Sequence, residues 1–366
     1  MNTSNENIVL TSEEKKQYHR HLILDQIGKE GQLKLKSAKV LVIGAGGLGC
    51  PVLQYLTAAG IGTIGIVDGD VVDQSNLQRQ ILYIIQDVGK SKAVSAAQRM
   101  GQLNPFVNFV VHDIFLNKEN VLELFKEYDI VVDGTDNFPT RYLVNDACVL
   151  TNKPLVFGSI FKFQGQVSIF NYNGSGTYRC LYPTPPEPNS VPNCSDIGVL
   201  GVLPGIIGSL QANEVVKLIT GIGKPLINQL LYFDALTLQQ QVLKFERNED
   251  VKVESLEDDY DFFCGVKTMN KDITEMKSIS AEAYLANKDD YNTLDVRTYE
   301  EFEESNVGGW HVPLDELNER MGELPNSKPM VVLCASGIRS EKAIELLLEN
   351  YFPKYLYNLE GGISTL

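Results

Sequence analysis

Short, unbroken apolar runs alternate with segments of helical composition along the first two thirds of the chain. This alternation predicts an α/β fold with a doubly wound, Rossmann-like sheet and helices on both faces. The runs at 40–43, 63–67, 106–112, 129–132, 155–160 and 165–170 read as strands, and 230–233 and 241–245 as closing strands. Helices are predicted at 48–59, stopped by Gly60, and at 91–100, 118–128 and 141–150, with another from Pro204 to Gly221. Thr11 and Glu14 form a capping box for a helix through Tyr18 to about Leu24.

Two stretches break this rhythm. Residues 182–198 carry Pro183, Pro185, Pro186, Pro188 and Pro192, with Cys194 near the end, and read as a long irregular loop. Residues 246–261 hold eight acids against Arg247 and Lys252, the composition of a solvated linker or exposed arm. Beyond it, strands at 293–296 and 330–333 and a helix from Ser340 to about Glu349 predict a second, smaller α/β domain. The expected organisation is a nucleotide-binding domain at 1–245, an acidic linker at 246–272 and a second domain at 273–366.

The 366 residues, 43% apolar, suffice for two or three domains with real cores. A formal charge of −15 opposes a general nucleic-acid or anionic-membrane surface. Glycines and a proline interrupt the most apolar stretch, 199–210, so no transmembrane helix is expected, and the acidic N-terminus does not read as a secretory signal. Six cysteines in a chain this long are too sparse for a disulfide scaffold, which makes a reducing cytoplasm the default.

The candidate chemistry begins at Gly44, Gly46 and Gly49, a G-x-G-x-x-G turn between a strand and a helix that lets phosphate approach backbone N–H groups. Asp68, at the end of the second strand, is placed to accept from a ribose hydroxyl. Asn76, Arg79 and Gln80 follow, and Lys92 lies thirteen residues past Arg79. Two cations and two amides beside a phosphate cradle suit a triphosphate, whereas hydride transfer has no such need. Asp136 lies just past the strand 129–132, where it could hold Mg²⁺ on a phosphate or cap the helix at 141–150, and spacing does not separate these roles. The cluster His19, Arg20 and His21 reads as a solvated helix face. Cys194 suits a mobile loop thiol that reaches a substrate, or one that merely packs. Cys334, between a strand and a helix N-terminus, is a nucleophile candidate, with Gly337 and Arg339 in an anion-cradle arrangement. Its loop has four residues between Cys and Arg, one fewer than a tyrosine-phosphatase loop, and suits sulfur better than phosphate.

These residues resemble the MoeB/ThiF family of ubiquitin-activating-like adenylyltransferases fused to a rhodanese domain. The likeness rests on GAGGLG at 44–49 (which includes Gly47), SNLQRQ at 75–80, Lys92, TDN at 135–137, YRCL at 178–181 and GSLQANEVVKL at 208–218. LDVR at 294–297, CASGIRS at 334–340 and NLEGGI at 358–363 carry the rhodanese part. The resemblance implies ATP-dependent adenylation of the C-terminal glycine of a small ubiquitin-like sulfur carrier of the MoaD or ThiS type, ending in Gly-Gly, in molybdopterin or thiamine biosynthesis or another thiolation pathway. It also implies that Asp68 holds the ribose, that Asn76, Arg79 and Lys92 hold the phosphates, and that Asp136 holds Mg²⁺. Arg20 would reach the ATP of a partner subunit, making a homodimer and overriding the solvated-face reading. Cys334 would carry a persulfide from a donor such as a cysteine desulfurase, and its sulfur would replace AMP to give a thiocarboxylate. Cys194 matches a loop cysteine that joins the carrier covalently in some relatives.

The family's structural zinc uses two C-x-x-C pairs, but here Thr177 stands with Cys180 and Asp261 with Cys264, so zinc is not expected. The chain ends three residues after Ile363, so the last rhodanese helix is expected to be missing. A nicotinamide oxidoreductase with an appended thiol domain and a non-catalytic carrier-docking scaffold are the alternatives.

Overall fold

The structure, a computed structural model, describes residues 9–186, 198–264, 277–325, 328–349 and 356–366. The chain divides into two compact units, Met1–Cys264 and Gly265–Leu366.

The first unit is built on eight strands, β1 (Lys39–Ile43), β2 (Thr63–Val67), β3 (Asn108–His112), β4 (Ile130–Asp133), β5 (Leu155–Phe161), β6 (Gln164–Phe170), β7 (Gln229–Asp234) and β8 (Gln240–Lys244). They form one sheet in the order β3-β2-β1-β4-β5-β6-β7-β8. The β1–β5 pairings are parallel, and β6, β7 and β8 extend the sheet antiparallel. Alternation along β1 sends Val40 and Val42 into one core and Leu41 and Ile43 into the other, which is why the central strands read as continuous apolar runs. Each such side chain, fully buried, contributes about 1.5–3 kcal/mol.

The helix punctuation follows the sequence closely. The Thr11–Glu14 capping box forms, although the helix breaks at Tyr18 into Ser12–Gln17 and His19–Leu22. Gly60 and Gly221 end their helices in the left-handed conformation. The order of winding reverses between β1 and β4: the chain leaves β1 toward β2 on one side and reaches β4 on the other. A crevice therefore opens beyond their C-terminal ends.

Part of the acidic stretch expected to be a linker is packed into this unit. A short helix, Tyr260–Phe263, lies against the helix Phe138–Leu150, and Tyr260 and Cys264 are buried in the core. Phe263 meets Tyr142 edge to face at 5.3 Å. Charge counting missed this docking because the acids that matter pair with a cation far away in sequence.

In the second unit β9 (Lys277–Ile279), β10 (Asn292–Asp295), β11 (Trp310–His311), β12 (Met330–Leu333) and β13 (Leu356–Leu359) form a parallel sheet in the order β11-β10-β12-β13-β9. The buried strand β12 runs into Cys334, and the helix Ile338–Glu349 follows.

Candidate functional site

At the β1–β4 crevice the chain forms a cleft lined by the glycine turn, Asp68, Asp70, Arg79, Gln80, Lys92, Ile114, Phe115, Thr135, Asp136 and their neighbours. Its floor is backbone packed on backbone. Gly44 has φ +85°, and a Cβ there would stand 3.0 Å from the Gly134 carbonyl oxygen. A Cβ on Gly49 would lie 1.9 Å from the Gly44 carbonyl oxygen, so no side chain fits without moving the turn. Gly46 and Gly47 line the cleft beside them.

Asp68 clasps this turn. Its Oδ2 accepts the Ala45 N–H at 2.8 Å and its Oδ1 the Asp70 N–H at 2.9 Å. Burial pushes its carboxyl up against those bonds. A carboxylate offers about four acceptor positions, so the two backbone bonds leave room for sugar hydroxyls. Lys92 is buried, its Nζ 3.0 Å from Asp70 Oδ2. Tyr83 donates its hydroxyl to the carbonyls of Ala45 at 2.8 Å and Lys92 at 3.2 Å, joining the turn to the start of the lysine's helix. Gln80 is buried, and among the described residues its Oε1 has no hydrogen-bond partner.

The helix cap resolves one ambiguity. Asn137 caps Phe138–Leu150 by accepting from the Thr140 N–H at 2.9 Å, so the exposed carboxylate of Asp136 is not the cap. Asp133 fixes this turn from below. Its Oδ1 accepts from the Thr135 N–H (2.9 Å) and Oγ1 (2.6 Å), and the Gln211 amide donates to its carbonyl at 2.7 Å.

Two expected residues lie elsewhere. Asn76 is outside the cleft, its Oδ1 accepting from the Asp73 N–H at 3.3 Å. Arg20 is exposed on His19–Leu22 and does not line the cleft of its own chain. Cys194 falls outside the described residues. Sequence reasoning missed the apolar wall of Ile114, Phe115 and Leu116. Its position just past β3 was the available signal, because ligands in open sheets sit beyond strand ends.

Glycine-turn amides, two cations and an apolar wall fit a purine nucleotide polyphosphate. No cluster of three or more His, Cys, Asp or Glu suited to a metal occurs among the described residues. Mg²⁺ characteristically takes one or two carboxylates plus phosphate oxygens and water, so Asp136 alone satisfies the protein's share.

The remnants of the zinc pairs have other partners. Cys180 Sγ accepts the Thr177 N–H at 3.3 Å and the Asn248 N–H at 3.4 Å. Burial pushes the Cys264 thiol up to about 12, and Thr177 and Asp261 stand where each pair would need its second thiolate. This donor set does not fit a closed tetrahedral zinc site. Beside it Arg179 donates to Asp146 through Nε (2.8 Å) and Nη2 (2.6 Å), and Nη2 also reaches Glu257 at 2.9 Å. Tyr260 donates to the same Asp146 at 2.7 Å, and the guanidinium lies 4.6 Å over Phe263. These contacts hold the acidic arm to the first unit.

In the second unit Cys334 is fully buried at the end of β12. Burial raises its pKa, but hydrogen bonds outweigh that: Ser340 Oγ donates to Sγ at 3.4 Å and the Gly337 N–H at 3.2 Å, leaving the thiol below its ordinary value. Asn358 Oδ1 lies 2.7 Å from Ser340 Oγ and its amide donates to the Gly337 carbonyl at 3.1 Å, holding the loop's shape. The Arg339 guanidinium, beside the loop that follows Cys334, is paired with Glu301 at 2.6 and 2.7 Å.

The ThiF family matches residues 18–253 and the rhodanese-like domain residues 280–365. The chain is 43% identical over 366 residues to the probable adenylyltransferase/sulfurtransferase MoeZ of Mycobacterium tuberculosis, covering 97% of this chain and 93% of that one. It is 51% identical over 268 residues to the sulfur carrier protein adenylyltransferase of Thermus thermophilus, covering 70% of this chain and 99% of the relative. Among solved structures, E. coli MccB with MccA-N7isoASN shares the fold at a TM-score of 0.59 and 23% identity, over 65% of this chain and 74% of that one. The glycine-floored cleft and the buried thiol loop thus fall in two recognised parts of one chain, which belongs to the ThiF family and carries a C-terminal rhodanese-like domain.

Proposed function

We propose that this enzyme adenylates the C-terminal glycine of a small ubiquitin-like sulfur carrier with ATP and supplies sulfur to it from Cys334. The observation that carries the reading is the buried Lys92 at the lip of the glycine turn, with Arg79 and the uncommitted Asp136 around the same cleft. Glycine-turn amides and both cations bind the triphosphate, Asp68 orients the ribose, and Ile114 and Phe115 pack on the base. Asp136 would hold Mg²⁺, which would supply positive charge against the phosphates. The carrier carboxylate attacks the α-phosphorus, the bond to the bridging oxygen breaks, and pyrophosphate leaves with the electron pair. The acyl-adenylate turns a poor electrophile into one with a good leaving group.

The terminal sulfur of a Cys334 persulfide then attacks the acyl carbon and AMP departs, leaving an acyl disulfide on Cys334. A further thiol attacks Cys334 Sγ and releases the carrier thiocarboxylate. All the described cysteines are free, which suits a reducing cytoplasm and a persulfide donor such as a cysteine desulfurase. Among the described residues no helix is long and apolar enough to cross a membrane. The exposed Arg20 supports a homodimer in which it serves the partner's nucleotide, and the thiol chemistry supports a protein without zinc.

The test is exchange of labelled pyrophosphate into ATP. Exchange should appear when magnesium and a cognate carrier ending in Gly-Gly are both present. Its absence with a folded carrier refutes the proposal.

A further inference from the structure

We infer that Glu301 sets which sulfur donors the second unit accepts: by clamping Arg339 it neutralises the guanidinium of the thiol loop and turns the site away from small dianionic sulfane donors, toward persulfides borne on proteins. The inference rests on Cys334 acting as the sulfur-carrying thiol.

The clamp is a bidentate pair, Arg339 Nη1 donating to Glu301 Oε2 at 2.7 Å and Nη2 to Oε1 at 2.6 Å. Glu301 is itself fixed, because Oε2 also accepts the Thr298 N–H at 2.9 Å in a capping box at the start of Tyr299–Glu304. Arg339, Thr298 and burial together leave its carboxyl at about 2, with the Arg339 bond the largest influence, so the pair stays ionised through the working range. Two-point geometry costs little further side-chain freedom once one partner is anchored.

Arg297, another guanidinium of this unit, is equally committed. It donates to Asp295 at 2.6 and 3.0 Å and to the carbonyls of Glu301 (3.0 Å) and Ser305 (2.6 Å). For an arriving anion the loop therefore offers chiefly the uncharged donors that already face Sγ, the backbone N–H groups of Ser336, Gly337 and Ser340 and the Ser340 hydroxyl. A dianion such as thiosulfate must shed water with little cationic field to offset the loss. A persulfide on a protein brings less charge to the reacting sulfur and a docking surface of its own. In both cases the Cys334 thiolate attacks the outer sulfur and the old S–S bond breaks. Sulfite or the donor's thiolate leaves with the electron pair.

The experiment uses the full chain with Glu301→Gln, which keeps a capping-box acceptor at the same place. Thiocyanate formation from thiosulfate and cyanide gives one kcat/KM. Loading of Cys334 by a cysteine desulfurase persulfide, read as the mass of one added sulfur, gives a second rate. Glu301→Gln should raise the thiosulfate kcat/KM about tenfold, the worth of roughly one charge-assisted contact. Protein-persulfide loading should change by less than about twofold on the same scale, and adenylation should be unaffected. The double variant Glu301→Gln, Arg339→Ala should lose the gain. A thiosulfate rate that stays level or falls overturns the inference, as does a gain that survives without Arg339. If the unsubstituted chain takes sulfur from neither donor, the role of Cys334 fails first and the clamp's role with it.

Discussion

Replacing Lys92 with methionine separates catalysis from folding. The lysine side chain is 9% exposed and its Nζ sits 3.0 Å from Asp70 Oδ2, while the Asp70 side chain is 57% exposed. Removing the ammonium leaves that carboxylate in water, so the lost pair costs folding about 0–1 kcal/mol, and the methionine stem fills most of the lysine's path. A unit of this size melts about 2–4 °C lower per kcal/mol, so the midpoint should fall by no more than about 4 °C. Catalysis should suffer far more. A fixed cationic donor at a phosphate cradle, where charge moves to the leaving pyrophosphate, is worth about 3 kcal/mol, or roughly a hundredfold in rate. The assay is pyrophosphate exchange at saturating ATP and carrier, run beside a thermal melt of the same preparation. A rate within about fivefold of the parent, with an unchanged melt, would show that Lys92 does not meet the transferring phosphate.

Cys334→Ala should spare pyrophosphate exchange and stop thiocarboxylate formation, read by mass on the carrier; loss of exchange would show that adenylation depends on the thiol. Loading of Cys334 needs thiolate, and the hydrogen bonds from Ser340 and Gly337 hold its pKa below the ordinary thiol value. The loading rate should therefore be full above that lowered pKa and fall as pH drops through it, with a midpoint below about 8.5 in a single-turnover pH series. Arg179→Met strands the buried Asp146 carboxylate and should cost about 3–5 kcal/mol. A melt unchanged to within about 2 °C would deny the arm contacts that role.

Much of the fold was readable because a parallel sheet buried on both faces writes itself as apolar runs. β1, β2, β4 and β5 stood out for that reason, and Gly60 and Gly221 punctuated their helices. The pieces that escaped have physical causes. Lys277–Ile279 and Trp310–His311 are three and two residues long, too short to show any period. The docking of Tyr260 depends on Asp146, 114 residues away, which no local charge count reveals. The cleft divides the same way. Gly44, Asp68 and Lys92 follow from spacing, whereas the choice between Asp136 and Asn137 as cap is made by backbone direction. Glu301 was invisible because it acts on a loop 38 residues later.

The complete burial of Cys334 has one more consequence. An S–S bond is about 2 Å long, so cargo on this sulfur stands one bond nearer the surroundings than the atom that anchors it.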